Sequence, residues 1–225
     1  NEKIKTKLHQ QILNIFKADV ASNISESSIA SDGQNESQHL FQTDFLVTLA
    51  YSVIALKETD SISNSELEFL VNRLEKLVYT TPFIDTTFFK ASKCKVLSKN
   101  RQNASPGDCQ NHTYAKQYLK ALVGYLNSDD EAFRAAVNLY RFAIDDLEND
   151  GALWREAIRG AYSWDYYGMS LGLLVGIADV VSKNWFDLWS YQNKSGQTIH
   201  DAVDFYLMSL NDPKVIPYHP TPVTL

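Results

Sequence analysis

Apolar residues recur at helical spacing along most of this chain. The first such stripe predicts an amphipathic helix that ends before Ser22. Residues 40–56 are apolar on nearly every side, which indicates a helix surrounded by other helices. Three further helical patterns run over residues 112–126, 154–181 and 199–210. Alternation typical of strands is almost absent, so the pattern predicts an all-α protein.

Two helix starts carry a capping-box pattern. Ser65 and Glu68 precede one apolar stripe, and Ser128 and Glu131 precede another. Such a pair satisfies the free amide groups of a first helical turn, so we expect helices to begin at both places.

Two segments lack helical periodicity. Residues 22–38 are rich in Ser, Asn, Glu and Gln, which predicts a long mobile loop. Residues 213–225 contain four prolines, which predicts an extended tail. Short polar joints elsewhere predict antiparallel helical hairpins within a single domain over residues 1–225. Periodicity leaves a bundle, a solenoid and a closed helical toroid open.

Composition and charge restrict the function. The chain has 225 residues and is 44% hydrophobic, which is enough for a real core. Its formal net charge of -6 argues against nucleic-acid binding through a generally basic surface. No apolar run reaches the roughly 20 residues of a membrane helix. We therefore expect a soluble monomer that binds neither nucleic acid nor membrane.

The chain has two cysteines, Cys94 and Cys109. A disulfide between them fits an oxidising compartment, whereas free thiols fit a cytosolic protein, and we predict the disulfide. Two isolated cysteines offer too few ligands for zinc, so we expect no metal site, and we expect no cofactor. The chain begins at Asn1 without Met or a leader, which fits a processed export product and a trimmed chain equally, so the start decides little. Together these observations predict a secreted or periplasmic protein.

Residues 90–101 hold five basic residues and no acidic one, in a chain that is acidic overall. A solvated surface loop is the ordinary interpretation of such a run. This run, however, leads through Cys109 to Asn111 and His112. We interpret it as local positive charge for a polyanion.

Asn111 and His112 stand where a helix is predicted to begin. Asn111 is suited to cap that helix, which places His112 in the first turn. The amides of a helix start face a bound anion, and their partial positive charge favours a neutral imidazole that accepts a proton. Ordinary helix capping is the alternative.

Arg159 and Tyr166 are seven residues apart in a predicted helix, so they would share one face two turns apart. Tyr162 and Ser163 lie between them. A cation and phenols on an inward face are costly to bury unless they serve a site or satisfy one another. The alternative is an arginine that reaches solvent over tyrosine packing.

Residues 111–178, which open with Asn-His-Thr-Tyr and close with Leu-Val-Gly-Ile-Ala, resemble a known family. They are similar to the catalytic half of the alginate lyases of the poly-mannuronate lyase type. The family's Asn-His pair, its Arg and its Tyr seven positions later fall on Asn111, His112, Arg159 and Tyr166 without a gap. The resemblance implies an α/α toroid, which 225 residues leave incomplete, and an acidic polyuronate as the partner.

The resemblance also implies β-elimination, with alginate or poly-β-D-mannuronate as substrate. Arg159 and Asn111 would neutralise the uronate carboxylate, which makes the C5 proton acidic. His112 would remove that proton, and Tyr166 would protonate the leaving O4 oxygen. If both transfers occur on one sugar face, Tyr166 would perform both.

We predict further substrate contacts from aromatic and basic side chains in the same stretch. For the aromatic residues, as for Trp154 and Tyr167, core packing is the alternative. The predicted contacts are Tyr114, Tyr162, Trp164, Lys93, Lys95 and Lys99.

Other functions remain open at this point. One is a lyase for another polyuronate, such as glucuronan or a glycosaminoglycan. A second is a non-catalytic carbohydrate-binding helical domain, and a third is a plain helical interaction module.

Overall fold

The computed structural model of the chain describes residues 2–18, 35–80, 89–91, 94, 109–183 and 186–216. Within these ranges the chain forms eight α-helices and two short 3₁₀ helices and no strand, which confirms the all-α prediction. The α-helices are α1 Glu2–Lys17, α2 Asn35–Glu58, α3 Asn64–Thr80, α4 Asn111–Asn127, α5 Asp130–Asp145, α6 Trp154–Ala157, α7 Ser163–Ser182 and α8 Ile199–Asn211. The 3₁₀ helices are Gly160–Tyr162 and Pro213–Val215.

The helices pack as two compact units. One comprises Asn1–Phe88 with Leu119–Ala132, and the other comprises Phe89–Tyr118 with Phe133–Leu225. The N-terminal part of α4 belongs to the second unit and its C-terminal part to the first. The single domain over residues 1–225 stays a prediction.

In the first unit, α1, α2 and α3 pack against one another. Apolar positions of all three helices form the core, because each helix has an apolar stripe that must be removed from water. The core includes Ile12, Phe16, Leu46, Leu49, Ala50, Val53, Leu70, Leu74 and Val78.

The prediction that residues 40–56 form an enclosed helix is wrong. Tyr51 of α2 is 42% exposed, and Thr48 and Ala55 on the same face are exposed as well. These three residues recur every three or four positions, so α2 has a solvent-facing strip. Apolar composition alone did not reveal it, because the strip itself contains Tyr and Ala.

Both predicted caps are displaced along the chain. The α3 capping box uses Ser63 and Glu66: the Glu66 N–H donates to Ser63 Oγ at 3.3 Å, and the Ser63 N–H donates to Glu66 Oε2 at 3.2 Å. At the start of α5, the carboxylate of Asp129 accepts from the N–H groups of Glu131 and Ala132. Ser65 and Ser128 therefore do not cap these helices.

The two predicted irregular segments also need correction. Helix α2 begins at Asn35, so the last four residues of the predicted loop 22–38 are helical, and 22–34 lie outside the described residues. The predicted extended tail starts with a 3₁₀ turn, Pro213–Val215, while residues 217–225 are not described.

In the second unit, α7 packs against the short helix α6 and against α8. The buried Tyr167 of α7 stacks on Phe205 and Tyr206 of α8, with ring centroids 5.5 Å apart in both pairs. Its phenol oxygen accepts from the Leu153 N–H at 3.1 Å, just before α6. Tyr167 thus ties α6, α7 and α8 together.

The predicted helix over residues 154–181 is interrupted. Helix α6 ends at Ala157, a 3₁₀ turn follows, and α7 begins at Ser163. Gly160 has a φ of +66°. This left-handed conformation is sterically costly for a residue with a Cβ but not for glycine. Arg159 and Tyr166 therefore do not lie two turns apart on one helix, which corrects the prediction.

Helices α4 and α7 approach each other closely at Gly176. A Cβ on Gly176 would lie 2.5 Å from Cζ of Tyr118 in α4, which is closer than packed carbon atoms can come. The absence of that Cβ therefore allows the Tyr118 ring to rest on the α7 backbone. This contact brings the N-terminal part of α4, with its Asn-His pair, toward α7.

Candidate active site

The start of α4 is fixed by a disulfide and by backbone capping. The Cys94 and Cys109 sulfurs are bonded, with their Cα atoms 5.5 Å apart, which confirms the predicted disulfide. The next residue, Gln110, accepts at its carbonyl oxygen from the Thr113 and Tyr114 N–H groups, at 2.8 and 3.1 Å. Gln110 is therefore the capping residue, and Asn111 is the first residue of the helix rather than its cap.

Asn111 is buried, with 0% of its surface exposed. Its backbone N–H donates to Glu156 Oε1 at 2.9 Å, and its side-chain Nδ2 donates to the Met169 thioether at 3.6 Å. Its Oδ1 is buried without a hydrogen-bond partner among the residues described. A free amide of the first helical turn is thus satisfied by a carboxylate 45 residues away in sequence.

Glu156 is a site residue that the sequence analysis missed. It is 0% exposed, and its Oε1 also accepts from the Ser170 hydroxyl at 2.9 Å. Burial raises its pKa to about 7, although the Ser170 hydrogen bond and the nearby Arg159 charge oppose this increase. The sequence around it, with Arg155 directly before it and Arg159 three residues after it, gives no local signal of this role.

Arg159 stands between α6 and the 3₁₀ turn and is half-buried. One guanidinium nitrogen donates to Gln110 Oε1, beside the start of α4. The guanidinium carbon lies 4.2 Å from the centroid of the Tyr166 ring, within the range of a cation–π contact. The structure therefore brings Arg159 and Tyr166 together, although through the turn at Gly160 and not through one helix face.

Tyr166 is half-buried in the first turn of α7 and neighbours an exposed aromatic ring. The centroid of the Tyr162 ring lies 6.2 Å from that of Tyr166, and Tyr162 is 64% exposed. Trp164 is half-buried, and its indole N–H has no hydrogen-bond acceptor in the described part of the chain. Tyr162 and Trp164 remain predicted substrate contacts.

Tyr114 belongs to the core. It is 2% exposed, and burial raises the pKa of its phenol well above the usual range. This position argues against the predicted contact between Tyr114 and substrate. Trp154 and Tyr167 are buried too, at 3% and 0% exposed, so their core interpretation is confirmed.

His112 is half-buried in the first turn of α4, as predicted, directly after Asn111. Lys93, Lys95 and Lys99 lie outside the described residues, whereas Lys90 is described and exposed. Among the described residues no cluster of His, Cys, Asp and Glu could hold a metal ion. No helix within those same ranges is long and apolar enough to cross a membrane.

These side chains define a class of site. A helix start with an Asn-His pair, a half-exposed cation and a phenol against that cation suit an anionic substrate and acid–base chemistry. The sequence profile of the alginate lyase family matches residues 27–216. The chain belongs to the alginate lyase family.

Solved structures of alginate lyase A1-III share the fold of this chain. A histidine-to-alanine variant with bound tetrasaccharide is 20% identical, has a TM-score of 0.72, and is covered over 56% of its length by 96% of this chain. A tyrosine-to-phenylalanine variant with bound tetrasaccharide is 21% identical with a TM-score of 0.71, and the corresponding coverages are 55% and 96%. The protein from Sphingomonas species A1 is 21% identical with a TM-score of 0.70.

The chain spans about half the length of these structures. Because their fold is an α/α toroid, the similarity supports the incomplete α/α toroid expected from the sequence. No curated protein sequence gives a significant match to the chain.

Proposed function

We propose that this protein cleaves an acidic uronate polymer by β-elimination, with polymannuronate as its preferred substrate. One observation carries the proposal. Arg159 contacts both Gln110, next to the Asn-His pair, and the ring of Tyr166. Gln110, Arg159 and Tyr166 thus meet next to the Asn-His pair in sequence, which supports a reaction that needs a cation, a base and an acid together.

Arg159 is the group that meets the substrate carboxylate. It is half-exposed, and its planar guanidinium suits bidentate contact with a carboxylate. Charge that develops on the carboxylate as the C5 proton leaves is stabilised by this fixed cation. Asn111 is buried, so its amide meets the carboxylate only where bound substrate displaces the Met169 thioether, a weak acceptor that a carboxylate replaces with a stronger bond.

The proton transfers follow from the remaining groups. His112 takes the C5 proton, the C4–O4 bond breaks, a C4–C5 double bond forms, and Tyr166 gives its proton to the O4 oxygen. That scheme applies where the C5 proton and O4 lie on opposite faces of the sugar; in polymannuronate they lie on one face, so there Tyr166 performs both transfers. Tyr162, exposed beside Tyr166, offers a ring on which the adjoining sugar can stack.

The solved neighbours support this assignment. Alginate lyase A1-III was crystallised with a tetrasaccharide after replacement of one histidine, and again after replacement of one tyrosine. Those two residues stand as far apart in that chain as His112 and Tyr166 do in this one. The equal spacing supports His112 and Tyr166 as the proton-transfer pair.

We also propose that the protein works outside the cytoplasm, because the Cys94–Cys109 disulfide is stable in an oxidising compartment. Lys95 and Lys99, between these cysteines in sequence, and Lys93, directly before Cys94, are proposed to attract the polyanion electrostatically.

The test is the unsaturated product, which absorbs in the ultraviolet. The protein is incubated with polymannuronate, polyguluronate, glucuronan and hyaluronan. We expect product to form fastest from polymannuronate. Product from glucuronan or hyaluronan alone would assign another polyuronate, and no product from any polymer would contradict the lyase proposal.

Tyr166→Phe removes one hydroxyl and keeps the ring on Arg159. We expect a loss of about 10²–10⁴-fold in turnover with unchanged circular dichroism, because the proton donor is gone. Tyr191→Phe is the matched control, since its hydroxyl binds Asp145, which is not a candidate site residue, and it should keep full activity. If Tyr166→Phe keeps more than about a tenth of the activity, Tyr166 is not the acid.

A further inference from the structure

The carboxyl of Glu156 joins the three segments that carry the candidate site. Its Oε1 accepts from the Asn111 N–H at the start of α4 and from the Ser170 hydroxyl of α7, both at 2.9 Å. Glu156 itself lies three residues before Arg159, whose N–H donates to the Glu156 carbonyl at 3.1 Å. One buried oxygen therefore links the helix of Asn111 and His112 to the helix of Tyr166.

The second oxygen of this carboxyl is in a different situation. Glu156 Oε2 is buried and has no hydrogen-bond partner among the described residues. A carboxylate with one unsatisfied oxygen is costly to bury, so the protonated form gains relative to the ionised one. With the pKa raised to about 7 by burial, the group changes charge near neutrality.

The charges around Glu156 give this change a consequence. Arg155 and Arg159 face it from its own segment and Tyr114 faces it from α4, while Asp146, the residue after α5, acts on Tyr114. From α7 it meets the uncharged Ser170. Arg155 is bound to Asp146, with Nε and Oδ2 2.8 Å apart, whereas Arg159 is half-exposed at the site. An ionised Glu156 therefore offsets the charge of Arg159.

We propose that Glu156 is a positioning residue that holds Asn111 and the start of α4 in place, and that its charge tunes the attraction of Arg159 for the substrate carboxylate. This inference rests on the proposed function. Ionisation of Glu156 weakens binding of the acidic substrate, and by thermodynamic reciprocity substrate binding favours protonation of Glu156. The KM for polymer then rises as pH increases through neutrality.

Two substitutions separate position from charge. Glu156→Gln keeps the Oε1 acceptor for Asn111 and Ser170 and removes the charge, so kcat should stay within a few-fold of the wild type. Glu156→Leu removes the acceptor and leaves two buried donors unsatisfied, so kcat should fall by up to about 10²-fold. Glu58→Gln removes the same charge from an exposed position of α2 and is the control.

The experiment measures kcat and KM on polymannuronate from about pH 5.5 to about pH 8.5, the range that brackets the ionisation of Glu156. We expect KM to rise about 5-fold across this range in the wild type and in Glu58→Gln, and to stay nearly constant in Glu156→Gln. The other candidate site residues are the same in every variant, so the comparison isolates the charge of Glu156. An identical rise of KM in Glu156→Gln overturns the role of the charge, and full kcat in Glu156→Leu overturns the positioning role.

A binding measurement keeps this inference distinct from the proposed function. Calorimetry follows a mannuronate tetrasaccharide binding to Tyr166→Phe and to Tyr166→Phe/Glu156→Gln, in two buffers of different ionisation enthalpy. Proton uptake near pH 7 only when Glu156 is present supports the inference even if the wild type gives no unsaturated product. Equal proton uptake in both proteins overturns it even if the wild type is an active lyase, and absence of both product and binding overturns both.

Discussion

At the scale of single residues, this site depends on polar groups whose surroundings change their chemistry. Asn111 and Glu156 are fully buried polar residues, and the Asn111 N–H donates a hydrogen bond to the Glu156 carboxyl. Arg159 makes its two contacts while part of its surface stays open to a ligand. The site therefore combines fixed, buried supports with one accessible cation, which is the arrangement that preorganised electrostatic catalysis requires.

Glu156 also predicts a pH dependence of stability. Its pKa is raised from 4.5 to about 7 in the folded protein, so the folded state binds this proton more tightly than the unfolded chain does. Its stabilising contribution is complete below pH 4.5 and is lost as pH rises through about 7. The wild type should lose roughly 3 kcal/mol of unfolding free energy from this group between those limits, at about 1.4 kcal/mol per pKa unit.

Urea unfolding at about pH 5 and about pH 8 measures this loss. Glu156→Gln has no charge to bury, so its stability should fall less between the two pH values than that of the wild type. Glu58→Gln should behave as the wild type, because Glu58 is exposed. Equal losses in the wild type and in Glu156→Gln would show that Glu156 is not buried in its ionised form.

At the scale of elements, the interruption between α6 and α7 creates the site. A continuous helix would hold Arg159 and Tyr166 at a fixed separation of two turns. The left-handed Gly160 redirects the chain, and the Arg159 guanidinium instead lies over the Tyr166 ring. The break between α6 and α7 thus allows a direct contact between Arg159 and Tyr166.

Gly160→Ala tests the break. A Cβ in the left-handed conformation costs about 1–2 kcal/mol, so the unfolding free energy should fall by that amount. Activity should fall by up to about 10²-fold, since Arg159 would move with the turn. Urea unfolding and product formation measure these two effects, and circular dichroism checks that the helices remain.

Gly172→Ala is the matched control in the same region of the chain. Gly172 is an exposed position of α7, and a Cβ there meets no atom within 4 Å. Alanine should stabilise the helix by up to about 1 kcal/mol and leave activity unchanged. A Gly160→Ala protein that matches Gly172→Ala in stability and activity would contradict the importance of the left-handed turn.

At the scale of the whole molecule, the disulfide links the basic segment to the site. It closes a loop between Cys94 and Cys109, which are 15 residues apart, and Cys109 is followed directly by Gln110 and Asn111. Closing a loop of this length restricts the unfolded chain and favours the folded one. The disulfide therefore contributes to stability and fixes the position of Cys109, directly before the start of α4.

We expect Cys94→Ser/Cys109→Ser to lower the unfolding free energy by about 3 kcal/mol, the value expected for a loop of this length. The native wild type should not react with an alkylating reagent until it is reduced, which mass measurement detects. Serine is close to cysteine in size, so the double variant removes the bond with little change in packing. Chemical reduction of the wild type is the control and should lower the unfolding free energy by the same amount. Free alkylation of both cysteines in the unreduced native protein would contradict the bond.

The sequence by itself determined the elements and the kinds of chemistry. Helical periodicity depends on neighbours three and four residues away, so α4 and α8 were predicted almost to their ends and α1 was predicted to extend up to four residues too far. The four residues of the family pattern and the disulfide followed from residue identity and order. The caps were displaced by one or two residues, because Asp129 and Ser63 compete with nearby serines for the same amide groups.

Tertiary structure decided which of these groups meet. Nothing local separates Glu156, which supports the site, from any other acidic residue, because its partners are 14 and 45 residues away. The burial of Tyr114 and the exposure of Tyr162 were likewise fixed by the helices packed around them. Periodicity records which face of a helix is apolar, whereas burial, hydrogen bonding and the pKa of a carboxyl depend on atoms brought close only when distant segments pack.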